Sequence, residues 1–216
     1  MSAPDPWAFG WTQLLTIIGF AITIIIAVGG FRTFNRWKRE KLEERKIEIA
    51  FEALSIAYET KFIFETIRNP MTYSYEWDDM PQIAGESDND RSNRGTSYAI
   101  FKRMERNKDF FERLWKLQPR FMAVFGSETE DIFFKLHQAR RYVEVSAQML
   151  VRRRDGDIGE LNDNRRRQRE QWEADIWTGM DAVTPGLDRV GHGLDAFKTG
   201  IERLCRPVTE REYRRN

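Results

Sequence analysis

The stretch WTQLLTIIGFAITIIIAVGGFRTFNRWKRE, Trp11 to Glu40, decides the fold. From Gln13 to Phe31 it holds no ionisable side chain, and it stops at a cluster of bases. A helix needs about 20 apolar residues to cross a hydrocarbon core about 30 Å thick. A buried core helix is usually shorter and carries a polar face. The polar groups here are only Thr12, Gln13, Thr16 and Thr23. A cleaved export signal would begin with bases and end at a small-residue cleavage site, whereas the leader MSAPDPWAFGW has no Lys or Arg. The expectation is a retained transmembrane helix over 12–34.

The flanks orient it. Asp5 is the one charged side chain before the span, while Arg32, Arg36, Lys38, Arg39 and Lys41 follow it. Bases beside a span stay in the cytoplasm. A single-pass protein of an inner or plasma membrane is therefore expected, with a short extracytoplasmic tail, 1–11, and the rest cytoplasmic. Trp7, Phe9 and Trp11 would sit at the outer headgroups, and Phe31, Phe34 and Trp37 at the inner ones. Intramembrane charges mark ion and proton pathways, and this span has none. Thr16, Gly19, Thr23, Ala27 and Gly30 share one face on which two membrane helices can approach, although such residues are ordinary in spans.

Of the 216 residues, roughly 180 remain for one cytoplasmic domain. The net charge of +1 disfavours nucleic acid as a partner. A lone Cys205 makes neither a disulfide framework nor a zinc set, in keeping with a reducing compartment. No cofactor is expected.

The domain reads as helices. Residues 35–68 form a juxtamembrane segment and first bundle helix, with Ile47, Ala50, Leu54, Ala57 and Phe64 recurring at helical spacing and a stop at Arg68-Asn69-Pro70. Residues 69–97 read as a loop, ordered by aromatics up to Ile83 and flexible from Gly85 to Gly95. The remaining bundle helices occupy 98–207, and 208–216 is a polar tail. Within them, Ile100, Met104, Phe111, Leu114 and Trp115 share one side, and Pro119 is expected to break that helix. SETE, Ser127 to Glu130, has the form of a capping box. It opens a helix whose inner face is Ile132, Phe133, Leu136, Val143, Ala147, Leu150 and Val151. The most regular pattern is the seam Ile176, Met180, Val183, Leu187, Val190, Leu194, Phe197, Ile201, Leu204, with steps of four and three. Pro185-Gly186 should kink it and Pro207 should end it. The fold class expected is all-α, the membrane helix continuing into an antiparallel bundle of about four helices. Whether the seam packs within one chain or between two stays open.

The stretches AFEALSIAYETKFIFETIRNPM, LQPRFMAVFG and VSAQML resemble a loose group of uncharacterised bacterial proteins with one amino-terminal span and a helical cytoplasmic domain. The likeness covers most of 47–151 and rests on apolar helix faces. That group carries no established activity, so the resemblance implies fold and location alone.

Chemistry is sparse. In EWDDMP, Glu76, Asp78 and Asp79 lie beside Tyr73, Tyr75 and Trp77, and clustered carboxylates suit Mg²⁺ or Ca²⁺. The competing reading is a docked aromatic loop with its acids in water. The acidic runs from Asp88 and Asp155 lack the glycine and the terminal acid of a calcium loop. His137 and His192 are the only histidines, and metal or general-base work usually needs a second ligand or an orienting carboxylate; His137 lies off the apolar seam and should be solvated. The bases Arg203 and Arg206 beside Cys205 could lower its pKa, but without a clear partner acid or base it reads as an ordinary thiol. Arg152, Arg153, Arg154, Arg165, Arg166 and Arg167 flank one turn and could meet phosphate, headgroups or an acidic partner, but no stacking aromatics lie between them. Lys61 and Arg140 fall on apolar seams and would need partners such as Glu65 and Glu144.

The functional expectation is a membrane-anchored interaction or scaffolding module, engaging a protein partner or a second copy. The alternatives are a metal-dependent enzyme or sensor built on the 73–79 loop, and anion binding through the arginine turn.

Overall fold

The computed structural model describes residues 10–152, 163–180 and 186–213. Among them the chain is helical without a strand. The helices are α1 (Trp11–Ile67), α2 (Asp88–Arg106), α3 (Lys108–Phe125), α4 (Glu130–Arg152), α5 (Asp163–Ile176) and α6 (Arg189–Tyr213), with 3-10 turns at Ser74–Glu76 and Ser127–Thr129. The contacts divide the chain into two compact units, 1–46 and 47–216.

The described part of the first unit lies almost wholly in α1. This helix is long and apolar enough to cross a membrane, with a mean hydropathy of 2.5 over its most apolar 18 residues. Among the described residues none of that window is buried: Phe20, Ile25, Ile26 and Phe31 are all exposed. Thr23 and Thr33 donate to the carbonyls of Gly19 and Gly29 at 2.8 and 2.9 Å, which satisfies both hydroxyls within the helix. The interleaved charges after the apolar run pair along the helix, Arg36 with Glu40 and Lys41 with Glu44.

The second unit holds the core. Ile49, Ala50, Ala53, Leu54, Ile56, Ala57, Phe64 and Ile67 of α1 are buried with Phe111, Leu114, Leu117 and Phe121 of α3, Phe133, Leu136 and Val143 of α4, and Val190, Phe197 and Ile201 of α6. Neighbours run in opposite directions, as their paired residues show. Glu52 meets Arg120 and Glu59 meets Arg113, so α1 and α3 are antiparallel. Phe121 stacks edge-on against Phe133 while His137 meets Gln118, so α3 and α4 are too. Gly193 lies against Lys135 and Ala139, and Gly200 against Ile132, so α4 and α6 follow suit. Glycine at those two points lets the backbones come close. Arg140 lies over Phe111 and Trp115 and bonds Glu144 at 2.8 Å, giving that seam cation its expected partner.

Several local expectations are corrected. Pro119 does not break its helix: α3 runs through it to Phe125. Proline removes one hydrogen bond, and the buried Leu117 and Phe121 on either side hold the helix together. Pro207 likewise lies inside α6, between the buried Cys205 and Thr209. The actual interruption is Asn107, between α2 and α3. The loop reading of 69–97 is also too long, because helix begins at Asp88. Ser87 caps it, accepting the Asp90 amide at 3.1 Å. Ser127 caps nothing; the chain turns at Gly126, whose φ is +102°, and Thr129 donates to its carbonyl. Lys61 is exposed and lies 3.9 Å from Glu65, so it is not a buried charge.

The regular seam is not one kinked helix. Ile176 closes α5, Met180 and Leu187 lie half-buried in the connection, and Val190, Leu194, Phe197, Ile201 and Leu204 belong to α6. Val183 lies outside the described residues. Ile176, Val190, Phe197 and Ile201 join the chain's own core, with Leu194 and Leu204 packed against it. A heptad-like spacing here marks the buried sides of two successive helices.

Candidate functional site

The loop after α1 is held by buried cations. Arg103 of α2 is 5 % exposed, and it grips Glu76, itself 4 % exposed, by two bonds of 2.9 and 2.8 Å. The remaining donors of Arg103 go to the carbonyls of Asn69 and Met71 and, at 3.4 Å, of Ile67. Glu76 also accepts the Tyr73 amide. The Arg103 bonds hold the Glu76 carboxyl below its usual range, against burial, which pulls the other way. Arg94 reaches the Pro81 carbonyl and Glu86, and Met80 is buried beside them. The indole of Trp77 covers Gly95 of α2, where even a Cβ would lie 2.3 Å from the ring.

This placement bears on the carboxylate trio. Glu76 is committed to Arg103, and Asp79 is ion-paired with Lys102. Asp78 is exposed. No three His, Cys, Asp or Glu side chains among the described residues are grouped as a metal site would need. Tyr73 and Tyr75 stack on each other at 5.5 Å and remain exposed, so Glu76, Trp77 and Met80 are what dock the loop.

A second buried cation organises the far end of α1. Arg68, 2 % exposed, donates to the carbonyls of Ala174, Asp175 and Trp177 and to both oxygens of Asp188. Those carbonyls are at the end of α5, where the last turn of a helix lacks intrahelical donors and carries negative charge. The Arg68 carbonyl accepts the Thr178 amide. Beside it the buried Asp175 accepts from Ser146 at 2.6 Å, from Gln171, and twice from Arg189. The guanidinium carbon of Arg189 lies over Tyr142, 3.7 Å from the ring centre. The end of α1, the end of α5 and the start of α6 are thus joined by charge-assisted bonds.

Between α1 and α6 lies a cleft of about 610 Å³ beside Arg68, within the usual range for small-molecule sites. Its floor includes Ala57, Thr60, Phe64 and Leu194, and its charged lining includes Lys61, Glu65, Asp195 and Lys198.

The other sequence candidates fall as follows. Trp11, Arg32, Arg36, Trp37, Lys38 and Arg39 are exposed on α1; Trp7 lies outside the described residues. Arg152 ends α4 and Arg165, Arg166 and Arg167 are exposed in α5, with Arg166 bonded to Glu170. Arg153, Arg154 and the acidic run from Asp155 to Glu160 lie outside the described residues. His137 is half-buried and bonded to Gln118 at 2.7 Å rather than solvated, and burial together with Arg140 lowers its pKa. His192 is exposed. Cys205 is fully buried and pushed up to about 12, because burial outweighs its basic neighbours in sequence.

Sequence reading missed Arg68, Arg94 and Arg103 because charged residues are usually solvated. Their signal was position. Arg103 lies three residues after Ile100 and Arg68 four after Phe64, on the buried sides of their helices.

No protein-family model matches the chain, and no curated protein and no solved structure matches it.

Proposed function

We propose that this chain is a single-pass membrane protein whose cytoplasmic part, an antiparallel helical bundle, serves as an interaction or scaffolding module. The observation that carries the reading is the apolar start of α1, uncharged from Gln13 to Phe31 and exposed among the described residues. Such a surface is far larger than the isolated apolar residues a soluble monomer tolerates. The bases from Arg32 to Lys41 support an orientation with the amino terminus outside. Phe51, Phe62, Tyr73 and Tyr75, exposed in the second unit, offer apolar contact area to a protein partner or a second copy.

A metal-dependent activity at 73–79 has less support, since Glu76 and Asp79 are engaged by cations. Anion binding by the exposed Arg165 to Arg167 would show steep salt dependence.

The test is a pull-down of the full chain, tagged after Asn216, from native membranes in mild detergent, with mass spectrometry and mass photometry of the eluate. A foreign protein at near-equal amount, or a dimer of this chain, supports the reading. A chain found in the soluble fraction, or recovered from the membrane as a lone monomer, overturns it.

A further inference from the structure

The cleft between α1 and α6 has an ordered charge pattern. Tyr58 bonds Glu202 and Arg68 bonds Asp188, which fixes α1 and α6 in antiparallel register along the cleft. In that register Lys61 of α1 stands opposite Lys198 of α6, and one turn further along Glu65 stands opposite Asp195; all four line the cleft. Like charges therefore face each other in two rows, a basic row and an acidic row, about 5.4 Å apart along the helices. The charged lining as a whole is balanced: Lys61, Arg68 and Lys198 against Glu65, Asp188 and Asp195. Neither a polyanion nor a polycation suits it. Between the rows the floor is apolar, with Phe64 buried and Leu194 half-buried.

The native arrangement leaves the rows loosely engaged. Lys61 Nζ is 3.9 Å from Glu65, beyond hydrogen-bond range. Lys198 Nζ lies over the Tyr58 ring, 5.8 Å from its centre. Both are long flexible stems that can turn into the cleft.

We propose that this cleft binds a small zwitterion, a short peptide with free ends and an apolar side chain. The lysine row takes the carboxylate, the Glu65–Asp195 row takes the ammonium, and the side chain rests on Phe64 and Leu194. An extended dipeptide separates its two charges by one Cα–Cα step plus the terminal bonds, ~6 Å. A free amino acid holds them too close to reach both rows. The volume admits two or three residues.

The experiment is calorimetric titration of the full chain, held in detergent or a nanodisc, with the dipeptide Ala-Phe. Its amino-acetylated and carboxyl-amidated forms are titrated in parallel, as are the variants Lys61→Gln/Lys198→Gln and Glu65→Gln/Asp195→Asn. These four side chains lie outside the core, and near-unchanged melting curves verify that the variants fold. The expected result is saturable binding, weakened about tenfold or more by either cap, since each cap removes a charge-assisted bond. The lysine variant should lose discrimination against the amide, and the acid variant discrimination against the acetylated form. Absence of saturable binding at millimolar peptide overturns the proposal. So does binding that ignores the caps, or binding that survives unchanged in both variants.

Discussion

Arg103 and Glu76 show what a single buried pair does in a loop without regular structure. The guanidinium satisfies two carboxylate oxygens and three backbone carbonyls at once. Removing one partner strands the other: Arg103→Met should cost about 3–5 kcal/mol in a urea melt. Glu76→Gln, which keeps an acceptor for Arg103, should cost less, and equal losses from the two would refute this account. The pair also sets a pH dependence. The carboxyl of Glu76 is depressed below its ordinary value of 4.5. A depressed acid stabilises the fold above its unfolded value, and that stabilisation is lost as pH falls through the folded value. The urea midpoint should therefore fall below about pH 4.5, and Glu76→Gln should flatten that fall; identical acid limbs would count against it. Cys205 gives a third outcome at this scale. With its thiol near 12 and no exposure, it should resist iodoacetamide in the folded protein at pH 8 and react fully in urea. These side chains were poorly legible in sequence. Arg103 and Arg68 look like solvated bases until the helix face they occupy is known, and the burial that raises the Cys205 thiol has no mark among its basic sequence neighbours.

Elements were more legible, and the errors are instructive. The apolar periods of α1, α4 and α6 predict the buried faces well, because a stripe at helical spacing has few other uses. Proline was over-weighted. It costs one local bond, whereas α3 and α6 are fastened by several buried side chains on both sides of Pro119 and Pro207. The start of α2 was under-weighted, since its first turn is polar and its buried residues are Arg94, Gly95 and Ser97, none of which looks like core. Gly95 tests the reason. In an exposed helix Gly→Ala stabilises by about 1 kcal/mol. Here the new methyl would strike the Trp77 ring, so Gly95→Ala should lower the melting temperature, an overpacking loss of about 1–3 kcal/mol. In a Trp77→Ala background the same change should raise it. A stabilising Gly95→Ala in the wild-type chain would mean that Trp77 does not seal the loop onto α2.

For the molecule as a whole, the amino-terminal apolar run is the loudest feature of the sequence, while the device that joins the helix ends is silent. Arg68 immediately follows the last residue of α1, and its donors go to α5 and α6 over a sequence separation of more than 100 residues. No local pattern encodes such a contact. Its consequence is cooperative. The end of α5 has its carbonyls satisfied by Arg68, and Asp188 at the start of α6 is neutralised by it. Arg68→Met should then cost about 3–5 kcal/mol, and it should also uncouple α5 from the rest. Amide exchange in 163–176 should accelerate well beyond that in 130–147, since α5 would lose its end cap while α4 keeps its core. Arg68→Lys tests whether charge alone suffices. Lysine supplies a point charge with three donors in place of a planar fork with five. It should hold Asp188 and release the α5 carbonyls, giving faster exchange in α5 with a smaller loss of overall stability. If Arg68→Lys restored both the melt and the α5 protection, the guanidinium geometry would be irrelevant. If Arg68→Met left α5 protected, the joint would lie elsewhere, in the bonds of Asp175 to Ser146 and Arg189.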